Sequence, residues 1–95
     1  MGTFNGDLKF KINQGDLISK TVNLTEQTGS VLRGIVTFND GTPVYKAVAV
    51  LSYIYNNIEI PLTFTFTDIN GVFIFGIKNT SLDYIVNITY NEEFK

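Results

Sequence analysis

Two glycine turns set among alternating apolar runs constrain this chain more than any other feature. Asn39-Asp40-Gly41-Thr42-Pro43 follows Leu32-x-Gly34-x-Val36-x-Phe38, and Thr67-Asp68-Ile69-Asn70-Gly71 precedes Val72-Phe73-Ile74-Phe75. Gly takes positive φ without steric cost, and Asn and Asp tolerate it better than most residues. Asp-Gly and Asn-Gly between period-two runs therefore predict tight hairpins. Alternation of this kind sends successive side chains to opposite faces, as in a half-buried strand. The composition agrees: Ile, Thr, Phe, Tyr and Asn are abundant while Ala occurs only at Ala47 and Ala49, a bias toward strand over helix.

At the N-terminus Leu8, Phe10 and Ile12 alternate with Lys9 and Lys11, and Ile18, Lys20, Val22 and Leu24 alternate with Ser19, Thr21 and Asn23. With Asn13-Gln14-Gly15-Asp16 as a turn between them, these runs predict an N-terminal β-hairpin extension over residues 1–29. Five further strands follow: Val31 to Phe38, Val44 to Tyr55, Ile58 to Thr67, Val72 to Ile77, and a last one carrying Tyr84, Val86, Ile88 and Tyr90 on one face. In the second of these, Ala47, Ala49, Leu51 and Tyr53 face one way and Val48, Val50 and Ser52 the other, and Asn56-Asn57 makes the next turn. Pro61 cannot donate to a ladder, which places its end of the strand at a sheet edge or bulge. A buried helix over Val44 to Tyr55 competes, but β-branched and aromatic residues crowd that segment. Seven short strands with turns about every ten residues predict an all-β fold, an antiparallel sandwich.

The 95 residues fit a single domain over 1–95, and a 44% hydrophobic share is enough for a core. Cys and His are absent, which removes disulfides, thiolate nucleophiles, imidazole bases and the metal sites built on those ligands. No cofactor is expected. The seven basic residues are scattered along a chain of net charge −2, so nucleic acid is not an expected partner. No apolar run approaches the roughly 18 residues of a membrane span, and no basic stretch leads an apolar core as a signal peptide would.

The order Leu32-x-Gly34-x-Val36, Asp40-Gly41-Thr42-Pro43-Val44, Ala47-x-Ala49-x-Leu51, Thr67-Asp68-x-Asn70-Gly71-x-Phe73-x-Phe75 and Tyr84-x-Val86-x-Ile88 resembles the carboxypeptidase regulatory-like domain. The wider group is similar to transthyretin and to the B repeats of collagen-binding surface proteins. The resemblance covers about two-thirds of the chain, within a core over 30–91, and Thr-Asp-x-Asn-Gly-x-Phe is its most specific part. It implies a seven-stranded Greek-key sandwich of prealbumin-like type, used as a non-enzymatic accessory module of a larger exported or cell-surface protein. Lys46 departs from the pattern by standing where the family often has Gly.

Asp40, Gly41, Asp68, Asn70 and Gly71 read as turn formers, since Thr and Asp ahead of Asn-Gly can bond the turn backbone while the Phe two residues on enters the core. Calcium is the sharper alternative for Asp68 and Asn70. It fails on Val72 and Asn79, which stand where a twelve-residue loop needs an oxygen ligand and a closing Glu. The isopeptide bond of some B repeats lacks its Lys, for Val36 and Thr37 occupy that region; a nonstandard bond would join Lys9 or Lys11 to Asn87. Glu59, Asp68, Asp83, Glu92 and Glu93 offer no marked pair for carboxylate hydrolysis. Tyr45 and Tyr55 could form a ligand surface by stacking on polysaccharide rings, the alternative function being a carbohydrate-binding module. The sequons at Asn23, Asn79 and Asn87 follow from abundant Asn and Thr. Val48, Val50, Val72 and Ile74 are apolar opposite the inferred core, and bare apolar area of that kind predicts a cover: the N-terminal hairpin, a protein partner, or self-association.

Overall fold

The structure is a computed structural model that describes residues 8–23, 31–78 and 82–91. Among the described residues there is no helix, and seven strands form two sheets: β1 (Leu8–Lys11), β2 (Leu17–Asn23), β3 (Val31–Thr37), β4 (Val48–Tyr55), β5 (Ile58–Phe66), β6 (Val72–Gly76) and β7 (Asp83–Thr89). One sheet has the order β1-β3-β6, the other β2-β7-β4-β5. The helix alternative for 44–55 is thereby replaced by strand β4.

The sheets face each other through alternate residues. Phe10, Leu32, Val36, Phe73 and Phe75 come from the first; Val22, Ala49, Leu51, Tyr84, Val86 and Ile88 come from the second, and all are buried. Burying one large apolar side chain contributes about 1.5–3 kcal/mol. Gly34 has a packing role in this core. A Cβ there would lie 2.1 Å from the tip of the Phe73 ring, which occupies the space and meets Phe10 and Phe75 at centroid distances of 5.8 and 5.6 Å.

The N-terminal hairpin is a correction. β1 pairs with β3 and β2 pairs with β7, so the two strands belong to different sheets and do not lie across the outer face as a cover. The turn at 13–16 is a corner between sheets, closed by Asp16 N–H donating to the Asn13 carbonyl at 3.1 Å and tied to the far strand by Gly15 N–H donating to Tyr90 O at 2.8 Å. The pairing of β1 with β3 is parallel, whereas a wholly antiparallel sandwich was expected. The chain leaves the first sheet after β1, adds β2 to the second, and re-enters beside β1 in the same direction. Such a crossover permits parallel pairing, which a tight turn does not.

The glycine turns are likewise corners. β3 and β4 lie in different sheets, as do β5 and β6. In each turn only the glycine is left-handed, with φ of +91° at Gly41 and +77° at Gly71. The two-residue hairpin lies at Asn56-Asn57, where both residues have positive φ, as the primed turn between twisted strands requires, and Tyr55 pairs with Ile58. The expected irregularity at Pro61 is present: the β4–β5 register shifts between Leu51 and Ser52, opposite that proline, and β5 is the edge of its sheet.

Candidate functional site

Three regions bring the singled-out residues together. The first is the corner where the two glycine turns meet. Asp40 Oδ1 accepts the Thr42 N–H at 2.9 Å, and Asp68 Oδ1 accepts the N–H groups of Asn70 and Val72, both at 2.9 Å. The Thr42 bond holds the Asp40 carboxyl below its ordinary value. Gly71 packs on the other turn: its carbonyl accepts Val36 N–H at 2.7 Å, and a Cβ on it would sit 2.4 Å from the Val36 carbonyl oxygen. Thr67 fastens the corner. Its buried Oγ1 donates to Val44 O at 2.6 Å and accepts Ala47 N–H at 2.9 Å, while its backbone exchanges bonds with Lys46 and Ala47. These side-chain oxygens already have backbone partners. Among the described residues, no three carboxylate, imidazole or thiol side chains gather in a cluster that could hold a metal ion.

The second region is a cleft of about 350 Å³ beside that corner, lined by Phe38, Pro43, Tyr45, Lys46, Tyr90 and Asn91. The Phe38 and Tyr90 rings meet edge to face at 5.6 Å, and the Lys46 ammonium lies 5.4 Å from the centre of the half-exposed Tyr45 ring. Lys46 holds φ of +64°, a left-handed backbone that glycine adopts without strain. Tyr55 lies elsewhere. It ends β4, while Tyr45 precedes its start, and the eight residues of β4 span roughly 25 Å of extended chain. The two tyrosines therefore do not form one plate.

The third region is the outer face of the four-stranded sheet. Register puts Val48 beside Phe66 and Val50 beside Phe64 across β4 and β5. Phe64 and Phe66 are 61% and 50% exposed, with their rings 5.9 Å apart and edge to face. Along the same face a polar row crosses from β2 to β5: Ser19 Oγ donates to Asn87 Oδ1, and Asn87 Nδ2 donates to Glu59 Oε2 at 3.2 Å. Glu59 and Asp83 flank Ile54 in register on this open face. Lys9 and Lys11 lie on the outer face of the other sheet, so neither reaches Asn87 across the core. Ile74 is exposed on that outer face as expected, in register with Arg33.

Alternation puts Val48 and Val50 on the outer face, whereas it does not say on which face Phe64 and Phe66 lie. The missing information was the edge position of β5; the alternation Thr63-Phe64-Thr65-Phe66-Thr67 already showed that both rings share a face. Comparison of the chain with protein-family models, curated proteins and solved structures finds no match.

Proposed function

We propose that this chain is a non-enzymatic β-sandwich module whose task is to hold a protein-interaction surface within a larger surface or exported protein. The observation that carries this reading is the apolar band of Val48, Val50, Phe64 and Phe66 on the outer face of the four-stranded sheet. Exposed aromatic residues contiguous with β-branched ones on a sheet edge are costly in water and characteristic of docking surfaces. A prealbumin-like Greek-key arrangement of the carboxypeptidase regulatory-like kind is our reading of the topology. It is supported by the passage of both glycine turns from one sheet to the other and by the β4–β7 pairing.

The test is photocrosslinking in the cells that make the protein, with a benzophenone amino acid replacing Phe66 and, as control, Ile69, which is exposed on the β5–β6 turn. Discrete protein adducts from position 66 and none from position 69 are expected. Equal labelling from both positions would overturn the interaction role.

The cleft beside Lys46 supports a second reading, carbohydrate binding. There Tyr45, not Tyr55, supplies the stacking plate, together with Tyr90 and Phe38. On a glycan array this reading requires a signal that Tyr45→Ala abolishes and Tyr55→Ala leaves intact.

A further inference from the structure

The free edge of β5 is complementary to itself. Thr63-Phe64-Thr65-Phe66-Thr67 reads the same in both directions. An antiparallel two-fold axis through Thr65 would set Thr65 opposite Thr65 of the second copy, Phe64 opposite Phe66, and Thr63 opposite Thr67. Residues directly opposed in an antiparallel pair share a face, so both phenylalanine pairs fall on the outer side and both kinds of threonine pair on the other.

We propose that β5 pairs with β5 of a second copy of this chain, so that the two four-stranded sheets become one continuous sheet across a two-fold axis. This deepens the interaction-module reading and rests on it. An isologous contact of this kind closes on itself and stops at the dimer.

Four observations single out this edge and this occupant. β4 pairs with one side of β5, and no described strand pairs with the other. From Ile60 to Thr67 there is no charged residue, and Glu59 and Pro61, the devices that blunt an edge, both sit in its first half. Pro61 lacks an N–H and stands at the register shift, which confines new pairing to the palindromic stretch that follows. The opposite edge of the same sheet is more polar: Leu17 is exposed at its start, but the outward side chains that follow on β2 are Ser19 and Thr21, and Ser19 is already bonded to Asn87. Pairing at β5 joins the Val48, Val50, Phe64 and Phe66 band of each copy to its mate and sets the exposed rings against each other, which shields their facing sides from water. Main-chain bonds along the edge supply affinity, and the alternating pockets supply register.

The experiment is sedimentation velocity on the full chain at rising concentration, paired with a cysteine crosslink. The wild-type chain is expected to approach twice its monomer mass at high micromolar to millimolar concentration. Phe64→Lys combined with Phe66→Lys changes two exposed side chains and sets lysine opposite lysine in both pairs; it should stay monomeric while keeping its circular dichroism spectrum. Directly opposed residues have Cα atoms about 4.5–5.5 Å apart, within the range a disulfide spans. In this cysteine-free chain, Thr65→Cys should therefore oxidise to a covalent dimer far faster than Thr42→Cys on the exposed Asp40-Gly41 turn. A wild-type monomer at millimolar concentration, a dimer that survives the double lysine variant, or equal oxidation of the two cysteine variants each overturns the pairing. A monomer whose position 66 still crosslinks to another protein overturns the self-pairing alone; one that crosslinks to nothing overturns the interaction reading as well.

Discussion

The corner built from the two glycine turns and the edge formed by β5 are joined at Thr67, yet they spend their polar and apolar groups in opposite ways. At the corner, Asp40 and Asp68 hold backbone N–H groups of their own turns, Gly71 holds that of Val36 in β3, and Thr67 ties the end of β5 to the segment entering β4. Along β5 most side chains face water, and Phe64 and Phe66 meet each other and stand beside Val50 and Val48 on an open face. The residues that look most like chemistry, acids and amides near glycines, are thus consumed by the fold. The residues that look like ordinary core, two phenylalanines in a strand, are left outside. A region whose groups are all committed has little to offer a partner, and a region with uncommitted apolar surface has little to do in the isolated module.

This contrast is broken most severely at Gly71. Gly71→Ala brings left-handed strain together with a Cβ placed 2.4 Å from the Val36 carbonyl oxygen, and backbone cannot swing aside as a side chain can. We expect a loss of about 3 kcal/mol in chemical denaturation. Gly41→Ala isolates the strain, because Gly41 has the same left-handed backbone with nothing within 4 Å of the added methyl; it should cost only about 1 kcal/mol. Equal losses would mean that the two turns do not bear on each other.

The next largest effect is expected at Thr67. Thr67→Val keeps the shape but strips the donor from Val44 O and the acceptor from Ala47 N–H, both buried, at a cost of about 2 kcal/mol. One position earlier, on the exposed outer face, Phe66 gives the opposite result: Phe66→Thr should leave monomer stability within about 0.5 kcal/mol. If Phe66→Thr proved as destabilising as Thr67→Val, the edge would be part of the fold and not a surface held by it.

Much of the fold was legible because period-two alternation reports burial directly. Phe10 and Ile12, Ala47 to Leu51, and Tyr84 to Ile88 all turn inward as their spacing predicts. What alternation does not encode is which strand lies beside which. The residues 13–16, 39–43 and 67–71 each carry valid turn chemistry, and a turn that closes a hairpin differs locally very little from one that passes between sheets. The difference lies in long-range contacts such as Gly71 against Val36 and Thr67 against Val44. The sign of a left-handed backbone was also partly visible: Gly41 and Gly71 declare it, Asn56-Asn57 hints at it, and Lys46 conceals it, because lysine has no preference for that conformation. The candidate surface was the least legible part. Half of the band, Val48 and Val50, followed from alternation; the other half required knowing that β5 ends its sheet.

The smallest expected effect concerns the charge on the Asp40 side of the corner. The Thr42 N–H bond lowers the Asp40 carboxyl from its ordinary 3.8, so the folded chain holds that proton less tightly than the unfolded chain does. A depressed folded value contributes stability above the unfolded value, and that contribution is lost as pH falls through the folded one. Asp40→Asn keeps an oxygen that can accept the Thr42 N–H but removes the titration. The melting temperature of the wild type should therefore exceed that of the variant in neutral solution, by a small margin since the carboxylate is open to water, and the gap should close only below the ordinary value of 3.8. A gap that stays constant into strong acid would show that the Asp40 carboxylate's charge contributes nothing to the turn and that its oxygen alone matters. Asp40 would then be a purely geometric part of the corner, as Gly41 is, and the difference between corner and edge would be one of packing and hydrogen bonding with no electrostatic component at that turn.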